Sequence, residues 1–182
     1  EFEKIKHQLG ALRTLYSTHP SITQDQFQKF SQGIYDVNSS VVSLQWAPIV
    51  SVTNKNAFEQ YIQNDIGISN YFIHENPLSS FENKPNKESN YLPIVYQYGQ
   101  ETFDENQGLN LLSFTDVHAA ISVTNEANQI IATAPILLSK EGESVSRIFV
   151  FTPIERHLSQ SVFGELSDNE KQFSLKANFK NL

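Results

Sequence analysis

The side chains with the broadest chemistry in this sequence are its histidines and its neighbouring acidic residues. A zinc site on a helix needs two histidines four residues apart, and no pair among the five has that spacing. Asp116 and His118 are two residues apart, so a helix would turn them to different faces. Asp104-Glu105 and Glu141-Gly142-Glu143 fall in polar turns, where solvation is the ordinary role of a carboxylate. No metal site is therefore predicted. The histidines are His7, His19, His74, His118 and His157.

Other catalytic signatures are also missing from the sequence. It contains no Gly-x-Ser-x-Gly elbow, no glycine-rich phosphate loop and no His-Glu-x-x-His motif. Zero cysteines remove disulfides, thiolate metal sites and cysteine nucleophiles. Asn38-Ser39-Ser40 fits a glycosylation sequon, but a single match carries little weight. We therefore expect no enzymatic activity and no cofactor in this chain.

Length and composition limit the remaining classes of function. The 182 residues fit one domain, and 39% hydrophobic and 12% aromatic residues exclude a wholly disordered chain. A net charge of −7 without a basic stripe argues against binding to a nucleic-acid backbone. No apolar run is long enough to span a bilayer, and no signal peptide is present. Any membrane anchor is therefore expected outside this sequence.

Two helices are predicted before any strand. The first has an apolar stripe with gaps of 3, 4, 3 and 4, which fits either a short heptad pattern or an amphipathic helix packed on its own domain. His19-Pro20 ends it, because proline disfavours a helical conformation in the residue before it. Capping boxes at Ser21…Gln24 and Thr23…Gln26 start the second helix. The two stripes are Phe2, Ile5, Leu9, Leu12 and Tyr16, and then Phe27, Phe30, Ile34 and Val37.

The rest of the chain predicts an antiparallel sheet with helices to one side, which is an α+β fold. A strand carries Val42, Leu44 and Trp46, and Asn54 is placed to cap a short helix that ends near Gly67. An extended stretch at 71–75 and a loop at 76–90 come next, followed by a strand at 91–98 with Ile94, Tyr96 and Tyr98 on one face. A helix is predicted from Ser113 or Thr115 to Asn128, and then a hairpin of 130–138 with 145–153. The last predicted element is a half-buried strand from Phe173 to Phe179 at a sheet edge.

Several segments together resemble the CHASE domain family, over about residues 27–155. The first signature is VVSLQWAPIV at 41–50, followed by Asn56-Ala57-Phe58-Glu59. The second comes in the family's order and at about its spacing. It consists of Pro93-Ile94-Val95-Tyr96, Gly108-Leu109-Asn110-Leu111, Ala119-Ala120-Ile121 and IATAPILL at 131–138. In two places the chain departs from the family: Asn110 stands where many members carry Asp, and Lys55-Asn56 where Arg is common.

The resemblance implies the extracytoplasmic sensor domain of a membrane receptor that feeds a cytoplasmic histidine kinase or diguanylate cyclase. It also implies a long N-terminal helix, commonly the dimer contact, which leads into PAS-like α+β subdomains. We expect a single domain over 1–182. Its parts would be helices at 1–37, a membrane-proximal part at 41–90, a PAS-like core at 91–154 and a returning strand at 155–182.

The resemblance also directs attention to a ligand site. Thr133 and Pro135 belong to the Thr-Ala-Pro stretch that lines the family's pocket, and Gly99 falls where the cytokinin-binding branch has a ligand-gripping carboxylate. Aromatic residues at strand spacing fit either a cavity wall or plain core. The predicted ligand-binding residues are Thr133, Tyr96, Tyr98, Gly99, Pro135, Phe149 and Phe151.

Two further function classes stay open beside the small-molecule sensor. One is an extracytoplasmic protein-interaction module whose pocket is closed by side chains, which a large exposed apolar patch would favour. The other is an enzyme, which a cleft with a strongly perturbed carboxylate or histidine would favour.

Overall fold

The computed structural model describes residues 2–18, 23–37, 41–75, 90–100, 106–127, 129–140, 143–155 and 172–180. Helix α1 spans Phe2–Thr18, and its residues Ile5, Leu9 and Leu12 are buried in the domain's own core. The predicted end at His19-Pro20 lies outside the described residues. The apolar stripe of α1 therefore packs inside this domain, as an amphipathic helix does.

Helix α2 spans Gln24–Tyr35 and begins with the predicted capping box. The Thr23 Oγ1 accepts from the Gln26 backbone N–H at 3.3 Å, while the Gln26 Oε1 accepts from the Thr23 N–H at 3.0 Å. The alternative box at Ser21 lies outside the described residues. Thr23…Gln26 is thus confirmed as the start of the helix.

The predicted stripe of α2 is wrong in two of its four positions. Phe27 and Ile34 are buried, but Phe30 is 43% exposed and Val37 is 53% exposed, while Ser31 is buried in their place. At 3.6 residues per turn, Ser31 and Ile34 lie within about 40° of Phe27, whereas Phe30 and Val37 lie about 60–80° to one side. The side of α2 that is buried is therefore narrower than the stripe of apolar residues in its sequence.

The main sheet is antiparallel and has the strand order β4-β1-β8-β7-β5, with β6 also paired to β7. Its strands are β1 (Val41–Pro48), β4 (Tyr96–Gly99), β5 (Ile131–Ala132), β6 (Ile136–Lys140), β7 (Glu143–Glu155) and β8 (Gln172–Lys180). A second, two-stranded sheet joins β2 (Val50–Ser51) to β3 (Asn90–Tyr91). The β6–β7 pairing confirms the predicted hairpin, and residues 141 and 142 of its turn lie outside the described residues.

Strand β8 occupies the middle of the sheet and not the edge predicted for it. It pairs with β1 on one side and with β7 on the other, over nearly its whole length. Its alternating pattern identified a strand correctly, but alternation reports which way side chains point and not how many partners the backbone has. The last strand of the chain therefore ties the first strand to the hairpin.

The strand predicted over 91–98 is broken into two pieces. β3 ends at Tyr91 and β4 begins at Tyr96, and between them the Leu92 N–H donates to the Asn110 Oδ1 at 2.8 Å. Ile94 then belongs to a different core from Tyr96, so these side chains do not share one face. Pro93 has no N–H to offer a ladder, which favours a break at this point. The prediction of a single face for Ile94, Tyr96 and Tyr98 is wrong.

Helices cover both faces of the main sheet, whereas one covered face was predicted. We call face A the side on which α1 and α2 pack, together with Phe58 and Ile62 of α3 (Lys55–Asn64). Face B is the side on which α4 (Thr115–Ala127) and the 3₁₀ turn Leu111–Ser113 pack. Strand β7 serves both, because Val150 lies on face A and Phe149 and Phe151 on face B. The sheet is thus the middle layer of the domain.

The connections around α3 differ in detail from the prediction. Asn54 stands at the N-cap of α3 but makes no side-chain capping bond, and Ser51 instead caps the 3₁₀ turn Val52–Asn54 that precedes α3. Gly67 follows the helix with a φ of +82°. Residues 71–75 form no ladder, apart from one bridge between His74 and Leu109. The predicted loop 76–90 lies outside the described residues except for Asn90, and so does Asn128 after α4.

Candidate functional site

The predicted site residues lie on opposite faces of the sheet. Tyr96 and Tyr98 lie on face A, where Tyr96 stacks on Trp46 with ring centroids 5.3 Å apart and contacts Phe27 at 5.8 Å. Tyr98 meets the Tyr35 ring edge-on at 5.6 Å. These rings pack α2 against the sheet, as core aromatics do. Face A therefore holds the two tyrosines away from the other aromatic residues of the predicted site.

Face B carries the phenylalanines of the predicted site. Phe149 and Phe151 are fully buried, with ring centroids 6.5 Å apart, and Phe114 packs on Phe149 at 6.3 Å. The same core includes Val117 and Ile121 of α4. This arrangement gives face B an apolar wall between strand β7 and helix α4.

Thr133 sits beside Phe149 at an irregularity in the strand. Its N–H donates to the Phe149 carbonyl at 2.8 Å, and its Oγ1 accepts from the Phe149 N–H at 3.1 Å. Between the pairs Ala132↔Val150 and Ile136↔Arg147, four steps along one strand oppose three along the other, which is a β-bulge. The hydroxyl keeps its own hydrogen for donation to another group.

The bulge also explains the position of Pro135. This residue is exposed and lies between β5 and β6, where no ladder bond is lost by the absence of its N–H. Bulges commonly re-aim a side chain beside a functional site. The Thr-Ala-Pro stretch thus bends the strand and turns the Thr133 hydroxyl towards the backbone of Phe149.

Gly99 can offer a ligand nothing but backbone. Its φ is +140°, and a Cβ at this position would lie 2.2 Å from the Val42 carbonyl oxygen and 2.7 Å from the Ser43 Cα. A residue with a carboxylate side chain would not fit here without a shift of β1. Asp104 and Glu105, the nearby acidic residues, lie outside the described residues.

Sequence reasoning missed a pair of buried amides on face B. Gln45 and Gln97 are direct neighbours across β1 and β4, and the Gln45 Nε2 donates to the Gln97 Oε1 at 2.8 Å. Gln45 is only 1% exposed. A polar residue between apolar ones indicates a solvent-facing position when one face of the strand is exposed. Because β1 is central and covered on both faces, Gln45 lies in the interior instead.

Within the described part of the chain there is no group of three or more His, Cys, Asp or Glu side chains that could hold a metal ion. The described helices also include none with the length and apolar character needed to cross a membrane. His19 and His157 lie outside the described residues.

Comparison with known proteins supplies the context for this geometry. A family model described as the CHASE domain matches residues 20–170. The chain belongs to the CHASE domain family. Over 141 residues it is also 26% identical to the hybrid signal transduction histidine kinase A of Dictyostelium discoideum. The matched stretch makes up 77% of this chain but only 6% of that relative. The CHASE domain is a non-catalytic sensor domain found in histidine kinases, so this chain is a sensor in signal transduction.

The Asn110 position of the CHASE signature organises the loops beneath face B. Its Oδ1 accepts from the backbone N–H groups of Leu92 at 2.8 Å and Leu112 at 3.2 Å. Its Nδ2 donates to both carboxylate oxygens of Glu75, at 3.2 and 3.3 Å. Two backbone donors fix the orientation of this amide, so the neutral side chain serves as acceptor and donor at once.

Glu59 of the CHASE signature likewise holds a loop segment in place through a backbone hydrogen bond. Its Oε1 accepts from the Ile73 N–H at 2.8 Å and lies 3.8 Å from the Lys55 ammonium. The adjacent Tyr71 is buried and donates from its hydroxyl to the Ile94 carbonyl at 3.2 Å. Burial, and secondarily the charge of Glu59, raises the pKa of the Tyr71 hydroxyl well above its usual range. These contacts hold residues 71–75 against α3.

Proposed function

We propose that this chain is the extracytoplasmic ligand-sensing domain of a membrane-bound receptor. A small molecule would bind against face B of the sheet and pass a conformational change to a cytoplasmic output domain, such as a histidine kinase or a diguanylate cyclase. Membership of the CHASE family and the name of the matched relative support this reading.

The observation that carries the proposal is the double role of strand β7. Phe149 and Phe151 project to face B, while Ile148 and Val150 project to face A, on which α1 packs. A ligand seated against the phenylalanines would displace β7, and the packed core would pass that displacement to α1. Strand β8 is hydrogen-bonded along β7 and would move with it.

The order of the strands supports a PAS-like sheet as the ligand-binding fold. Counting β5 and β6 as one interrupted strand, the five main strands lie in the sheet as second, first, fifth, fourth and third in chain order. The C-terminal strand is thereby inserted at the centre, next to the strand that follows the N-terminal helices. The two ends of the domain would thus respond to the same change in the sheet.

We propose that the receptor acts as a homodimer in contact through α1. The apolar stripe of that helix is already buried in its own domain, so the contact would use the opposite, polar face, which includes Lys4, His7 and Ala11. Light scattering across a range of concentrations, with and without ligand, measures this directly.

The test of the sensor is thermal unfolding of this chain against purines, amino acids, carboxylates and sugars. A ligand at 100 times its Kd stabilises by about 2.7 kcal/mol, which for a domain of this size raises the Tm by roughly 5–10 °C. Thr133→Val should weaken the shift, because it removes the hydroxyl beside Phe149. Thr152→Val is the matched control, since Thr152 is also a buried threonine but lies on β7 and on face A. If every compound leaves the Tm unchanged, the sensor proposal fails.

The alternative is a protein-interaction module with a closed pocket. Phe30 on α2 and Phe72 in the segment after α3 are exposed, so they are the large apolar side chains at which a partner protein would bind under this alternative. Under this alternative Phe30→Ser would abolish capture of a protein partner and leave the response to small molecules unchanged.

A further inference from the structure

We infer that helix α1 of a second copy of this chain lies in the groove between α1 and α2, where it covers Phe30 and Val37. This inference rests on the proposed homodimer and adds the part of the contact that α2 supplies.

The groove runs between two antiparallel helices on face A. Helix α1 packs against β7, and α2 packs against β1 and β4, so β8 lies beneath the space between them. Two or three strand spacings are about 10–14 Å, whereas the axes of closely packed helices are about 8–10 Å apart. At one end of the groove the Lys4 ammonium donates to the Val37 carbonyl at 2.9 Å. The two helices are thus neighbours that do not close the groove by their own packing.

Phe30 and Val37 form the α2 wall of this groove. Tyr35 lies about 80° to one side of Phe27 around the helix, and its ring meets Tyr98 on the edge strand β4. Phe30 and Val37 lie about 60–80° to the opposite side, so they face away from that edge, towards β8 and α1. They are 43% and 53% exposed. The apolar residues of α2 that the core does not bury therefore line an open groove.

Small residues allow another helix to approach this groove closely. Gly33 lies between Phe30 and Val37 in α2, and a Cβ added to it would have nothing within 4 Å. Ala11 is exposed and follows Lys4 by about two turns, so the two lie on the same side of α1. Because the helices are antiparallel and Lys4 meets Val37, Ala11 is level with Phe30 to within about one turn. A helix in the groove would therefore meet a large side chain beside small ones, as interlocking helices do.

The proposed homodimer selects α1 of the second copy as the helix in the groove. A two-fold axis parallel to α1 allows both copies to be anchored in one membrane, and it keeps their α1 helices parallel and at the same height. Lys4 and Ala11, which belong to the proposed contact surface, lie on the side of α1 that is turned towards α2. A second α1 that contacts them extends over the groove and places its own Ala11 beside Phe30.

Charge complementarity supports the same occupant. Helix α2 ends at an exposed carboxylate, Asp36, and its C-terminus carries the negative end of the helix dipole. Near the start of α1, Lys6 is paired with Glu3 at 2.9 Å, while Lys4 donates to a carbonyl that does not neutralise its charge. In the parallel arrangement Lys4 of the second copy lies beside Asp36. This contact offsets the repulsion between the two Lys4 side chains across the two-fold axis.

Single cysteines test the contact, because the sequence contains none and each one introduced is unique. Chains with Ala11→Cys, mixed with mass-tagged chains with Phe30→Cys and oxidised mildly, should form a mixed disulfide dimer. That bond requires Cβ atoms about 4 Å apart. Phe72→Cys is the matched control, since Phe72 is also exposed but lies in the segment after α3. Its mixture with Ala11→Cys should yield no more dimer than two chains that do not associate.

Sedimentation equilibrium of the purified chain measures the same contact without a cross-link. Phe30→Ser should raise the Kd of the dimer tenfold or more, because aromatic side chains within a contact contribute a large share of its binding energy. Ala11→Arg should have the same effect by filling the space taken by Phe30, and Phe72→Ser should leave the Kd unchanged. All three positions are exposed, so the variants should keep the Tm of the unchanged chain.

Two results would overturn the inference. The first is a disulfide between two Ala11→Cys chains with none between Ala11→Cys and Phe30→Cys, which would keep a dimer through α1 and remove α2 from it. The second is a chain that stays monomeric at millimolar concentration, or a Kd that Phe30→Ser does not change. Neither result removes the ligand-sensing function, because a small molecule that raises the Tm of the unchanged chain should raise that of Phe30→Ser equally.

Discussion

Substitution of Asn110 by Asp tests why this chain departs from the family pattern at that position. The change keeps the oxygen that accepts from Leu92 and Leu112, and it replaces the Nδ2 donor with a second oxygen. That oxygen would face the Glu75 carboxylate, whose nearest atom is 3.2 Å from the present Nδ2. A hydrogen bond is thus exchanged for a contact between like charges.

The magnitude follows from that distance. Two unit charges 3.2 Å apart repel by about 1 kcal/mol in water and by about 5 kcal/mol at an effective dielectric constant of 20. Glu75 is exposed, so the lower end applies, and the lost hydrogen bond adds about 1 kcal/mol. We expect Asn110→Asp to lower the free energy of unfolding by about 2 kcal/mol at neutral pH, or the Tm by roughly 4–8 °C.

The sign of the pH dependence separates charge repulsion from a loss of packing. Two carboxylates in one place hold a proton more tightly in the folded protein than in the unfolded chain, so the pair's folded pKa would be raised. The loss of stability caused by charge repulsion is then fully present well above about pH 4, where both carboxyl groups are ionised. It disappears as the pH falls below about 4, the ordinary pKa range of Asp and Glu. Urea unfolding of both proteins across this range measures the difference.

A second substitution provides the control. Glu75→Gln in the Asn110→Asp background restores a donor opposite the new carboxylate, so the stability at neutral pH should return most of the way. A stability gap that is the same at every pH, and that Glu75→Gln does not close, would refute the reasoning.

Three further predictions follow from single positions. Gly99→Ala should lower the free energy of unfolding by more than about 2 kcal/mol, because a Cβ there meets the backbone of β1. Gly33→Ala on α2 has open space around it and should raise the free energy of unfolding by about 1 kcal/mol. Chemical denaturation of both variants measures the two changes. Tyr71→Phe should remove part of the alkaline loss of stability. The raised pKa of this buried hydroxyl makes folding stability fall by up to about 1.4 kcal/mol per pH unit above about pH 10, so the two proteins should converge as pH rises. Thr23→Ala should cost about 1 kcal/mol in thermal unfolding through loss of the cap of α2, and Thr23→Ser should restore it.

The local elements could be predicted from the sequence because their signals are local. The 3.6-residue spacing of Ile5, Leu9 and Leu12 gives a helix and its buried side, and Thr23 with Gln26 gives the first residues of α2. The polar residues at 140–143 predict a turn and with it the β6–β7 hairpin, since adjacent antiparallel strands need only a short connection. The CHASE signature segments, taken together, were enough to identify the family from the sequence.

The arrangement of those elements required the tertiary structure. Alternation assigns side chains to two faces but leaves open whether the second face meets water or another layer. Gln45 is buried because face B carries a second core, which includes Ala47 of the same strand, and no pattern within β1 indicates that core. In the same way, the alternating pattern of β8 predicts a half-buried strand but not its place in the sheet. Its insertion between β1 and β7 depends on pairing with β1, which lies more than a hundred positions earlier in the chain. The separation of Tyr96 from Phe149 onto opposite faces follows from that same pairing, because neighbours across a sheet are chosen by backbone hydrogen bonds that no local pattern encodes.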